Sequence, residues 1–150
     1  MRNYQDDFID GEYVSPLIIT EDYILFGEHR GSVHIESGEF VLSGTLNGSL
    51  NVQGGASARI LGKQRGSVSI HSQALVIVEG SIEGSTSLQP DGTLIVETNA
   101  KLAGSLNNFG RVILKGVFGG TSTGRGEIIV EDSGYIKQPI IKDGVSYYNW

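Results

Sequence analysis

Apolar residues recur along the chain with a step of six. Counting from Phe40, the step lands on Leu46, Val52, Ala58, Gln64, Ile70, Val76, Ile82, Leu88, Leu94, Ala100, Leu106, Val112, Phe118, Gly124, Val130 and Ile136. Fifteen of these seventeen positions are apolar, where composition alone predicts roughly seven. An α-helix repeats its apolar face about every 3.6 residues and a simple strand every second residue. Neither produces a step of six; short strands separated by corners do.

A period of eighteen sorts the hexads into three kinds. Gly38, Ala56, Ala74, Gly92 and Gly110 form a small-residue column two places before an apolar position. Gly48, Gly66 and Gly84 form a second column, with Gly31, Gly104 and Gly120 close to its register. Glycine suits such a corner because it tolerates positive φ and lets neighbouring backbones approach closely. Three strands and three corners per repeat predict an all-β fold, a triangular parallel β-helix (solenoid) of about seven 18-residue turns over residues 13–136. Triplets such as Phe40-Val41-Leu42, Val76-Ile77-Val78, Leu94-Ile95-Val96 and Val112-Ile113-Leu114 repeat one side of it. At about 4.8 Å per rung the rod is about 30 Å long. The first turn, about residues 14 to 30, departs from register by two residues, and Gln64 interrupts the apolar series.

A β-helix leaves an open strand edge at each end, which must be capped or used. Residues 1–12 are expected as a short acidic tail, with Tyr13 and Pro16 flanking the first apolar run. Pro139 cannot donate to a ladder and is expected to stop propagation. The aromatic-rich segment 137–150 carries an Asp143-Gly144 turn signal and is expected to cap or pack.

If the hexad residues point inward, their neighbours point outward. On one side this creates an aliphatic ladder of Val41, Arg59, Ile77, Ile95 and Ile113, extended by Ile129 and Leu25, with Leu75 beside it. Such a ladder is costly in water. Two covers are expected as alternatives: the chain's own C-terminal segment, or a lateral protein interface formed by Val41, Leu75, Ile77, Ile95, Ile113, Ile129, Tyr147, Tyr148 and Trp150. A second side repeats short polar residues, all expected to face outward: Ser32 and His34, Ser49 and Asn51, Ser67 and Ser69, Ser85 and Ser87, Ser105 and Asn107, Thr121 and Thr123.

Composition narrows the chemistry. The 150 residues are 39% hydrophobic and 19% charged, as for one globular domain. A formal charge of −6 and a pI near 4.9 lack the basic footprint of nucleic-acid binding. With no cysteine there is no disulfide, thiolate metal site or cysteine nucleophile. The acidic start does not read as a signal peptide, and no apolar run is long enough for a transmembrane segment, so a cytoplasmic protein is expected. General acid and base chemistry needs grouped titratable side chains. His29, His34 and His71 are scattered on the repeat and expected to be solvent-exposed, and the glycines recur with the turns instead of opening a helix as in a phosphate loop. No catalytic, cofactor or metal site is expected, and the chain is read as non-enzymatic.

Small residues four places after each apolar position, among them Gly80, Thr86, Gly92 and Gly110, resemble the hexapeptide repeats of β-helical acyltransferases. Ile77, Ile95 and Ile113 depart from that family's preference for Gly, Ala, Glu or Asp right after the aliphatic residue. Strings such as Leu46-Asn47-Gly48-Ser49-Leu50-Asn51-Val52 and Val78-Glu79-Gly80-Ser81-Ile82-Glu83-Gly84-Ser85 are similar to the cadence of the bactofilins, polymer-forming bacterial cytoskeletal proteins. That resemblance covers about residues 31–136. It implies a right-handed helix, end-to-end assembly with lateral pairing, and no catalysis, with the chain itself as partner in an oligomer or polymer. The alternative is an acidic β-helical binding protein, such as an immunity protein that neutralises a basic toxin.

Overall fold

The structure, a computed structural model, describes residues 7–9, 11–14, 16–138 and 140–147. The chain winds through three parallel β faces, turn after turn, with no helix among the described residues. Face one stacks Leu17–Ile19, Val33–Ile35, Leu50–Val52, Val68–Ile70 and Thr86–Leu88. Face two stacks Tyr23–Leu25, Glu39–Leu42, Ser57–Ile60, Leu75–Val78, Thr93–Val96, Arg111–Leu114 and Glu127–Val130, an unbroken ladder of seven strands. Face three begins with Glu28–His29, Thr45–Leu46, Lys63–Gln64 and Ser81–Ile82 and ends with Tyr135–Ile136. Near the C-terminal end the strands Lys101–Asn108 and Val117–Thr123 run through the corner between faces three and one, joining those faces into one sheet. The predicted β-helix of about seven turns is therefore the fold.

Alternation within each strand sends apolar residues inward, because a one-residue slip would expose the whole set. Face two contributes two inward columns: Tyr23, Phe40, Ala58, Val76, Leu94, Val112 and Ile128, and Leu25, Leu42, Ile60, Val78, Val96, Leu114 and Val130. Large and small residues compensate along a column. The Tyr23 ring stacks on Phe40 with centroids 6.4 Å apart, and the small Ala58 follows on the next rung. The first fourteen members of the hexad series, Phe40 through Phe118, are all buried, Gln64 included.

The corner glycines follow from contact between turns. A Cβ on Gly48, Gly66, Gly84 or Gly120 would overlap the carbonyl oxygen of the glycine one turn earlier. Only Gly31 and Gly104 of that column also take a positive φ. Close backbone approach, more than φ freedom, therefore selects glycine there.

The repeat is less regular than the hexads imply. Phe40, Ala58, Val76, Leu94 and Val112 stack at steps of eighteen, but Tyr23 lies seventeen before Phe40 and Ile128 sixteen after Val112. From Ile82 to Leu102 the step is twenty. The two extra residues form a turn at Glu97–Ala100, where Asn99 takes a φ of 73° and Ala100 N donates to Glu97 O at 2.9 Å. Ala100 thereby moves to a corner and Leu102 takes the inward place. The corner after Asn108 is two residues shorter than the one after Leu88, which restores the phase at Val112. Because both Ala100 and Leu102 are apolar, the hexad series conceals the shift.

Four polar residues are buried in this core. Asn108 is satisfied at both ends: its Nδ2 donates to Glu127 O at 3.0 Å and its Oδ1 accepts from Gly110 N at 3.0 Å. Gln64 Nε2 donates to Gly48 O at 2.8 Å and lies 3.2 Å from Gly66 O, while its Oε1 is buried without a partner. Thr86 Oγ1 is also buried and unpartnered. Ser32, expected outward, is only 9% exposed, with its Oγ 3.1 Å from Ser49 Oγ.

A β-hairpin lies at each end of the chain. Asp7–Ile9, expected within the acidic tail of residues 1–12, pairs antiparallel with Glu12–Val14, which runs from that tail into the expected β-helix segment. Ile140–Lys142 pairs with Val145–Tyr147 across Asp143 and Gly144, whose φ values of 53° and 76° are those of a primed two-residue turn. The Asp-Gly signal is therefore a hairpin turn. Pro139 lies outside the described residues.

Candidate protein interface

The outer surface of face two carries the predicted aliphatic ladder. The register aligns Val41, Arg59, Ile77, Ile95, Ile113 and Ile129 on six successive rungs. The first rung corrects the prediction: Ile24 stands beside Val41, whereas Leu25 pairs with Leu42 and points into the core. The register shift of the first turn hid this in the sequence. Ile77, Ile95, Ile113 and Ile129 are half-buried, and Ile24 is exposed.

Two flanking columns border the ladder. On the side that enters each strand lie Glu39, Ser57, Leu75, Thr93, Arg111 and Glu127, all in register. On the side that leaves it lie Phe26, Ser43, Leu61, Glu79, Glu97, Lys115 and Glu131. Many of the charges are paired between rungs: Arg59 Nε to Glu79 Oε2 at 3.2 Å, Arg111 Nε to Glu127 Oε2 at 3.8 Å and Lys115 Nζ to Glu97 Oε1 at 3.9 Å. The apolar strip is thus fenced by charges that largely neutralise one another. Phe26, 72% exposed, and Leu61 extend it toward the N-terminal end. Sequence reasoning missed these two because they follow the strands at corner positions, outside the hexad series. Tyr147 closes the strand Val145–Tyr147, and Tyr148 and Trp150 lie outside the described residues.

The end rungs expose residues of the core columns. Val130 and Ile136, expected inside, are 49% and 39% exposed, because among the described residues no further rung stacks on theirs. At the opposite end Tyr23 is 40% exposed above Phe40.

His29 occupies the inward column of face three, in register with Leu46, and its Nε2 is buried without a partner, which overturns its expected exposure. His34 and His71 stand half-buried on the outer side of face one, where Asn51 Nδ2 lies 3.3 Å from His34 Nδ1 and Gln89 Nε2 lies 3.1 Å from His71 Nδ1. The three histidines do not form a cluster. The polar side follows the prediction apart from Ser32: Ser67, Ser69, Ser85, Ser87, Ser105 and Asn107 line a shallow hollow of about 360 Å³. A second cleft of about 500 Å³ opens where the corner after Asn108 shortens, with Asp91 and Glu127 balancing Arg111 and Arg125. Among the described residues no group of three or more His, Asp or Glu side chains is placed to hold a metal, and no helix is long and apolar enough to cross a membrane.

Compared with family models, with curated proteins and with solved structures, the chain matches none of them.

Proposed function

We propose that this chain is a non-catalytic scaffold of the bactofilin kind whose rods join end to end. The observation that carries the reading is the uncovered last rung. Val130 and Ile136 continue core columns yet stand 49% and 39% exposed, beside an edge of Glu127–Val130 that pairs with no other strand among the described residues. The first rung of a second copy supplies what is missing. Tyr23 would stack over Ile128, Leu25 over Val130 and His29 over Ile136, extending the columns that the register already defines. Such a contact joins two different surfaces and does not close on itself, so it generates open filaments. The repeat's similarity to the bactofilin cadence supports the same reading.

Light scattering on a concentration series of untagged protein, with electron microscopy of the pelleted fraction, tests it. Open-ended filaments are expected for the wild type. The double variant Val130→Lys, Ile136→Lys is expected to stay monomeric with unchanged far-UV circular dichroism, since both side chains are already partly exposed. A wild-type chain that remains a monomer or closed dimer at every concentration overturns the proposal, and favours a specific heterologous partner for this acidic chain.

A further inference from the structure

The geometry points to a lateral contact in which face two packs on face two of a second copy of this chain, with the two rods running antiparallel. The surface has the anatomy of an interface core, an aliphatic strip bordered by polar and charged residues. Because the same face would serve both partners, the contact is two-fold symmetric, and only two orientations need comparison.

In the parallel orientation, each rung faces its own copy and the flanking columns exchange sides. Arg111 then meets Lys115, Glu127 meets Glu131, and no cation meets an acid. In the antiparallel orientation each flanking column faces itself with the rung order reversed. An axis at the Ile77 rung sets Arg111 against Glu39, one at the Ile95 rung sets Lys115 against Glu79, and one midway between Ile95 and Ile113 sets Lys115 against Glu97. The register midway between Ile77 and Ile95 instead sets Glu79 against Glu97 and Glu39 against Glu127 and is disfavoured; of the other three, the axis at the Ile95 rung balances best, with two Lys115–Glu79 pairs against one Glu97–Glu97 contact. Complementary charge of this kind selects orientation more than it adds affinity.

Size decides when the contact forms. Seven rungs at about 4.8 Å and four residues at about 3.3 Å give a face of about 400 Å². A stable complex buries about 800 Å² per partner. One face of one copy is therefore too small, and the contact accumulates only along rods that repeat it, by multivalency. On this point the inference rests on the end-to-end reading.

The absence of cysteine makes the test direct. Ile77→Cys, Ile95→Cys and Ile129→Cys are each made alone, assembled, and treated with a bis-maleimide of about 10 Å reach, matched to the spacing of packed sheets. Antiparallel pairing predicts that Ile77→Cys or Ile95→Cys links to its own copy and that Ile129→Cys does not. In every allowed register Ile129 lies at least one and a half rungs from the axis, a separation of about 14 Å or more along the rod. Equal linking at all three positions means parallel pairing and overturns the orientation. Filaments that form normally without linking at any position overturn the lateral contact itself. The Val130→Lys, Ile136→Lys background separates the two proposals: linking that persists in this monomer overturns the dependence on rods, whereas a wild type without filaments sinks the end-to-end reading. Ile95→Lys is expected to leave filaments single and unpaired.

Discussion

Replacing Gln64 with leucine is expected to stabilise the protein, although it removes a buried hydrogen bond. Gln64 is fully buried in the inward column of face three, between Leu46 and Ile82 on the adjacent rungs. Its Nε2 donates at 2.8 Å to Gly48 O, but its Oε1 has no partner. A buried carbonyl without a donor costs about 1–3 kcal/mol, and the amide bond returns about 1 kcal/mol net. Leucine has a similar volume and is already the residue one rung earlier, so little repacking is needed. The balance favours Gln64→Leu by about 1 kcal/mol, a rise in Tm of about 3 °C for a domain of this size. Thermal unfolding by circular dichroism at matched protein concentration, with a urea titration to show an unchanged m value, reads this out. Gln64→Ala separates volume from polarity: its cavity should lower stability by about 2 kcal/mol or more. A fall in Tm for Gln64→Leu would refute the reasoning. It would mean that the amide's contacts to Gly48 O and Gly66 O hold the corner more strongly than the orphaned oxygen weakens it.

Two further perturbations address the other unusual positions. Asn108→Ala is expected to lower stability by about 2–4 kcal/mol, seen as a lower urea midpoint, because it leaves Gly110 N and Glu127 O without their partner. Gly66→Ala is expected to prevent cooperative folding or lower Tm by more than 10 °C, since its Cβ would meet the Gly48 carbonyl; Gly55→Ala, with φ 85° and open space around it, should cost only about 1–2 kcal/mol in the same assay.

The β-helix was legible because its causes are local and repeated. Alternation within each strand, glycine at corners and the step of six all act within one turn, and seven turns multiply a weak signal. The aliphatic ladder on face two was legible for the same reason between Val41 and Ile113. Its first member was not. The seventeen-residue step from Tyr23 to Phe40 moves Ile24, not Leu25, to the outside, and two neighbouring apolar residues read alike in a sequence. Likewise, the two residues added at Glu97–Ala100 and the two removed after Asn108 cancel within about one turn, so the apolar count stays unchanged while Leu102 replaces Ala100 as the inward residue.

The sequence by itself determined that the chain is an all-β solenoid of about seven turns, which sides are aliphatic and which carry short polar groups, and that cysteine chemistry has no place in it. Tertiary structure decided how the rungs register, and register decides exposure. It turned His29 inward, half-buried with its Nε2 enclosed, drew Ser32 nearly out of solvent, and left Val130 and Ile136 exposed at the end of columns whose middle members are buried. The physical reason is that a periodic sequence specifies what each rung contributes, whereas burial depends on whether another rung lies above it and on which of two adjacent residues faces it.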